Sequence, residues 1–403
     1  MEAWLLEFIK GLGKVFLHPL LYWFLILGLL ASLARIKRER HFFGTKIYSA
    51  FQEAKYTWPI TIVSCLVLSC LAIGLGVMFS FPVMVLLSLV TIIFTLTKRF
   101  SWLSSAYTMG FTFLLLLILP DLLEGRLPSY WTDGLRNVDP VSFTIILGLL
   151  IIIEAILMIR INKKETFPEL VKGNRGKWIG QHRLKKIAVV PFFALIPVGE
   201  IVPFSSWWPI FQIDGDRFGI ILLPFLIGFE QVVKGAAPLK ATRNLGQSLL
   251  ILGLLTTGTA IAGYYLTILT LISVAIAIIG REFISFRFRS KDQQNKPFFS
   301  PSPTGMLVLG VIPVSPADKL SLSPGEIIIK VNGKSVSNEQ QFYEALQVNS
   351  AYCKLDVRDE RGELRFVQRA MYQGEHHELG IIFAEGSYRF KDHKMNMKQK
   401  KSG

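Results

Sequence analysis

Hydrolysis within a membrane would require two histidines one helical turn apart and a glutamate base to activate a zinc-bound water. The six histidines, His18, His41, His182, His376, His377 and His393, form no such array. His376-His377-Glu378 falls in a polar C-terminal region, and His18-Pro19 reads as an interfacial pair at the end of an apolar run. A serine hydrolase would need a Gly-rich nucleophile turn, which is missing. Phosphate-cradling and dinucleotide fingerprints are missing too, so the sequence calls for no cofactor and no metal. The acids Glu154, Glu200 and Glu230 lie inside apolar stretches, where an ionisable group is a candidate for transport or proton relay. Helix-to-helix hydrogen bonding or snorkelling explains each of them as well. Glu230 would find Lys234 one turn away on a helix, whereas Glu154 has no local cation at that spacing.

The elements that would hold these acids are membrane spans. With 51% hydrophobic and 18% charged residues and a mean hydropathy of +0.43, the chain is too apolar for a pair of soluble domains. Runs near 15–34, 60–79, 81–97, 104–120, 141–159, 187–203 and 218–233 approach the roughly 20 residues a spanning helix needs. An eighth block, 247–280, reads as a hairpin turning near Gly258 to Gly263 or as one long tilted helix. The expected architecture is a polytopic α-helical membrane domain of seven to nine spans over 1–290, nine fitting the charges best. Cys65, Cys70 and Cys353 make no disulfide framework.

The net charge is +15, and in the connections between apolar runs the cations gather in alternate segments. Segments 35–58, 98–105, 160–186, 234–246 and 280–297 hold 25 Lys and Arg residues, against three, Arg126, Arg136 and Arg217, in 120–140 and 204–217. Lys and Arg are retained on the cytoplasmic side. The N-terminus is therefore expected outside and everything after 280 in the cytoplasm. Glu2, Glu7 and the lack of a small-residue cleavage site mark the first span as a retained anchor. The basic runs Arg35 to Arg40 and Arg175 to Lys186 could meet lipid headgroups, but orientation signals explain them more simply. Nothing directs the charge to nucleic acid.

After residue 290 the composition turns polar. A linker over 291–304, with Pro297, Pro301 and Pro303, leads to a small α+β unit over 305–385. Residues 306–313 read as a strand, Ser315-Pro316-Ala317-Asp318 as a turn, and Glu326 to Val331 as a strand closed by Asn332-Gly333. Ser337 and Gln340 predict a capping box for a helix carrying Phe342, Ala345 and Leu346 on one face. Strands near 352–358 and 363–369 meet at Arg361-Gly362, and a last strand covers 379–384. The basic tail 386–403 is expected to be disordered. This order resembles the bacterial PDZ domain, with Glu326 where the family usually has Asp. The Gly-Leu-Gly-Phe-like stretch, Glu378 to Ile382, comes last, as in the circularly permuted form. The resemblance implies a peptide groove lined by Leu379, Gly380, Ile381 and Ile382, with Phe342 and Leu346 on the opposing helix. Those three apolar side chains, Ile381, Phe342 and Leu346, serve equally as core. Residues 298–305 are a rival carboxylate loop.

The run Phe16-Leu17-His18-Pro19-Leu20, the stretch Arg35 to Arg40, the region Tyr107 to Thr112 and the single C-terminal PDZ-like unit together resemble the MinJ family of cell-division topological determinants. The resemblance implies a non-enzymatic cell-membrane adaptor at poles and septum. It would bridge a DivIVA-like coiled-coil protein and a MinD-like ATPase on the lipid bilayer, other division proteins being possible partners. An intramembrane metalloprotease, or a transporter with an accessory PDZ domain, is the alternative.

Overall fold

A computed structural model describes residues 2–97, 99–173, 176, 178–205, 207–211, 217–349, 351–371 and 379–384. Proline and glycine punctuate its N-terminal helices. An amphipathic α1 (Glu2–Lys14) precedes α2 (Pro19–Phe43), α3 (Gln52–Lys55), α4 (Trp58–Leu75) and α5 (Phe81–Leu96). Then come α6 (Ser105–Leu123), α7 (Ser129–Arg136) and α8 (Pro140–Ile159). Pro19, Pro59, Pro82 and Pro140 occupy first turns, where a missing N–H costs nothing. Gly44 and Gly76 end α2 and α4 with left-handed backbone.

The chain then changes structure type. Strands β1 (Thr166–Lys172), β2 (Trp178–Ile201) and β3 (Phe218–Val233) form an antiparallel sheet in the order β1-β2-β3. The stretches 187–203 and 218–233, expected as spanning helices, are thus the two arms of one long hairpin. The physical reason lies in the prolines. Pro191 and Pro224, which face each other in the ladder, would break helices at their centres. The hydropathy signal persists because both faces of the hairpin are buried. Ala188, Val190, Phe192 and Ala194 with Leu223, Phe225 and Ile227 pack into the main core alongside α4, α6 and α8. Ile187 and Leu226 pack on the other side against Leu20, Leu27 and Leu103. A strand covered on both faces reads as a continuous apolar run. Part of the free edge of β2 is satisfied by the α4–α5 connection: Leu195 N–H donates to the Val77 carbonyl, and Phe79 N–H to the Leu195 carbonyl, both at 2.9 Å.

The block 247–280 is a helical hairpin, α9 (Pro238–Ala262) and α10 (Ile268–Gln294), with Gly263 at the turn. Among the described residues, six helices (α2, α4, α6, α8, α9 and α10) are long and apolar enough to cross a membrane, with α5 a shorter apolar helix. The expected count of seven to nine spans is thus not confirmed, because two of the expected spans are strands. The α8 helix is apolar all round and lies deepest.

The C-terminal unit comprises β4 (Met306–Val311), α11 (Pro316–Lys319), β5 (Ile327–Val331), β6 (Lys334–Ser335), α12 (Glu339–Gln347), β7 (Tyr352–Arg358), β8 (Leu364–Ala370) and β9 (Ile381–Phe383). Its sheet runs β8-β7-β5-β4-β9, with β6 paired to β5. Asn332 and Gly333 both have positive φ, the geometry that closes the β5–β6 hairpin. Asn338, one residue beyond the expected Ser337, caps α12 by accepting from Gln341 N–H. The basic tail lies outside the described residues.

Candidate interaction site on the docked C-terminal unit

The C-terminal unit is seated on the β1–β2 end of the long sheet. Phe299, fully buried, joins Leu309, Leu307 and Ile382 from the unit to Phe43, Tyr48, Phe167 and Leu170 in one apolar cluster. Backbone bonds cross the seam: Gly180 N–H donates to the Phe299 carbonyl at 2.9 Å, and Phe298 N–H to the Lys234 carbonyl at 2.8 Å. His182, fully buried, places Nε2 2.8 Å from the Leu309 carbonyl and stacks on Phe299 at 4.7 Å. Because a carbonyl only accepts, Nε2 carries the proton. Burial pushes the imidazole down to about 4, against an ordinary 6.5, despite the opposing pull of that carbonyl. Polar contacts complete the seam, with Lys164 on Asp318 at 3.0 Å and Lys163 donating to Ser323 at 2.8 Å. Burial pushes the Asp318 carboxyl up, but the Val314 N–H and the Lys164 ammonium outweigh it and hold the group below its usual range.

The six groove candidates divide between two environments. Phe342, Leu346 and Leu379 are fully buried, and Ile381 packs beside them in the core of the unit. The Phe342 ring meets Phe383 of β9 at 5.1 Å, so α12 and β9 are in direct contact. Ile382, on the opposite face of β9, belongs to the seam with the helical region. Gly380 has φ +81° and abuts Ser315, leaving no room for a β-carbon. Its carbonyl accepts from Ile312 N–H at 2.8 Å, and that of Leu379 from Ala317 N–H at 2.9 Å, so this loop is tied to the Ser315–Asp318 turn. In the rival loop, 298–305, Phe298 and Phe299 take part in the docking just described. His376, His377 and Glu378 lie outside the described residues.

The three apolar-stretch acids all have cationic partners. Glu154, fully buried, accepts from Ser104 Oγ at 2.7 Å and pairs with Arg281 of α10 at 3.3 Å. Glu200 pairs with Lys10 at 3.0 Å. Glu230 sits on a strand, so the expected helical partner Lys234 is not at pairing geometry. Arg183 at 2.7 Å and Lys185 at 4.0 Å take its place across the ladder. Sequence reasoning missed a further network. Arg35 is buried between Glu39 (2.6 Å) and Glu53 (2.9 Å), with its guanidinium 5.0 Å from the Phe167 ring centre. Arg38 and Arg183 both meet Glu169, and Lys186 meets Glu165 at 2.7 Å. The only signal for these pairs was the presence of acids in the same basic segments. Among the described residues no group of three or more His, Cys, Asp or Glu side chains could hold a metal ion.

Apolar helices of spanning length and a small α+β unit docked on them define a membrane protein with a C-terminal PDZ domain. The family model for the PDZ domain matches residues 307–358. The chain is 37% identical over 382 residues to the cell division topological determinant MinJ of Bacillus subtilis, covering 95% of this chain and 96% of that protein. It is 24% identical over 375 residues to the probable MinJ of Lacticaseibacillus paracasei, covering 90% and 95% respectively. The chain belongs to the MinJ family of cell division topological determinants.

Proposed function

We propose that this chain is a non-enzymatic adaptor of division-site selection, crossing the cell membrane several times with its PDZ domain in the cytoplasm. Its partners in this reading are a DivIVA-like coiled-coil protein and a MinD-like ATPase, which it gathers at poles and septum. Likeness to the Bacillus subtilis MinJ over almost the whole chain is the observation that carries the proposal. The distribution of Lys and Arg supports the orientation, and the long hairpin preserves it, because two strands that leave and return keep the same parity as two helices. Holding partners together at the membrane raises their effective concentration and requires no bond-making step.

A partner tail would add as a strand at the β9 edge of the sheet, beside Leu379, Gly380, Ile381 and Ile382, with Phe342 and Leu346 of α12 supporting that edge from the core behind it. Crosslinking in cells tests the assignment. Recovery of both partners with the full-length chain, and displaced septa on its deletion, are the expected results. Recovery of neither partner together with normally placed septa would refute it.

A further inference from the structure

The α9–α10 hairpin encloses a groove that the adaptor role does not use. The helices meet closely where Gly280 abuts Leu252, and the chain closes again where Gly235 abuts Asn295. Along this seam runs a cavity of about 600 Å³, within the range of small-molecule sites. The cavity has two chemically different ends. Toward the α9–α10 turn it is lined by Ile251, Leu255 and Phe283, all exposed. Toward the end of α10 it is lined by Arg287 and Lys291, also exposed, across from Asn244 and Ser248.

The charges are unbalanced. Arg183, Lys186 and Arg281 are each paired with a glutamate. Nearby Arg289 is paired with Glu282 at 2.9 Å, whereas neither Arg287 nor Lys291 forms an ion pair among the described residues. The one carboxylate in the groove, Asp292, is already engaged by the Lys234 and Gly235 N–H groups at 3.0 and 2.8 Å. From this geometry we infer that the groove is a site for one anionic phospholipid. Its acyl chain lies along Ile251, Leu255 and Phe283, and its phosphate lies between Arg287 and Lys291, with Asn244 and Ser248 as further hydrogen-bonding groups. Apolar surface followed by cations at the inner end of two adjacent helices matches a phospholipid of the inner leaflet in both length order and charge. The inference rests on the membrane-crossing reading of α9 and α10.

Full-length protein is reconstituted in nanodiscs of equal phosphatidylglycerol and phosphatidylcholine, and the lipid retained after transfer to detergent is weighed by native mass spectrometry. The wild type should retain phosphatidylglycerol over phosphatidylcholine by roughly tenfold. R287Q/K291Q should bring the two lipids to parity. S248F, which fills the groove and leaves both cations, should lower retention of both. K37Q/R40Q, an equal loss of exposed charge elsewhere, should change nothing. Equal retention by the wild type, undiminished retention in S248F, or the same loss in K37Q/R40Q would overturn the lipid site and leave the adaptor reading intact. A chain that fails to enter nanodiscs would overturn both.

Discussion

His182 donates its single imidazole proton to the Leu309 carbonyl at 2.8 Å, fastening the long hairpin to the first strand of the PDZ domain. Burial, and not the bond, keeps the ring neutral, since an imidazolium would donate to the same carbonyl. With its titration lowered to about 4 in the folded protein and an ordinary 6.5 when released, His182 supports docking fully above pH 6.5. That support declines as the pH falls from 6.5 toward 4, by about 3 kcal/mol in all. Thermal melts of the full-length protein between pH 7.5 and 4.5 should show the decline. In H182Q, whose amide can donate to Leu309 but does not titrate, the slope over this range should flatten. An unchanged slope would assign the pH response to other groups.

Arg35 is held between Glu39 and Glu53 out of contact with water. Removing one member of such a pair leaves a buried charge unpaired, at a cost of about 3–5 kcal/mol. R35A should therefore lower the melting temperature far more than R40A, which removes an exposed cation from the same basic run. Equal effects would mean that the cluster is hydrated in solution.

The hairpin can be distinguished from a pair of helices by chemistry. Ala188 and Ile227 face each other across β2 and β3. Cysteines at both positions, in a chain whose Cys65, Cys70 and Cys353 are serine, should oxidise to an intramolecular disulfide seen as a gel shift. A188C paired with F229C, two residues out of register, should oxidise more slowly.

Phe342 anchors α12 to β9 through Phe383. F342A should cost about 3–5 kcal/mol, read as faster proteolysis within 305–385 of the full-length chain. G380A should be similarly damaging despite its small size, since the new β-carbon collides with Ser315 and favours the wrong sign of φ.

The PDZ unit was legible because its signals are local. Asn332-Gly333 turns as expected, and β4, β5, β7 and β8 begin and end within about two residues of their pattern. Hydropathy located α2, α4, α6 and α8 for a similar reason, as apolar length is a property of a single segment. It misread β2 and β3 because the feature that distinguishes them, burial on both faces by helices distant in sequence, is tertiary. Pro191, Pro197 and Pro224 were the available local warning. The partners of Glu154 and Glu230 were hidden in the same way: Arg281 lies 127 positions from Glu154, and Arg183 meets Glu230 only once β2 and β3 are in register. The groove candidates Phe342 and Leu346 show the limit of motif reading, since one apolar pattern serves core and groove alike.

The 24 residues of β2 reach up to about 75 Å when extended, well beyond the roughly 40–45 Å of a bilayer with its headgroups. In the membrane-crossing reading, the ladder that begins among the apolar helices continues past the lipid surface and becomes the platform on which the PDZ domain sits. The domain is then carried on a stiff mast and does not swing on a leash. Whatever it captures is presented at one height and one orientation above the inner leaflet, and only cargo of matching stature can touch both the domain and the lipid below.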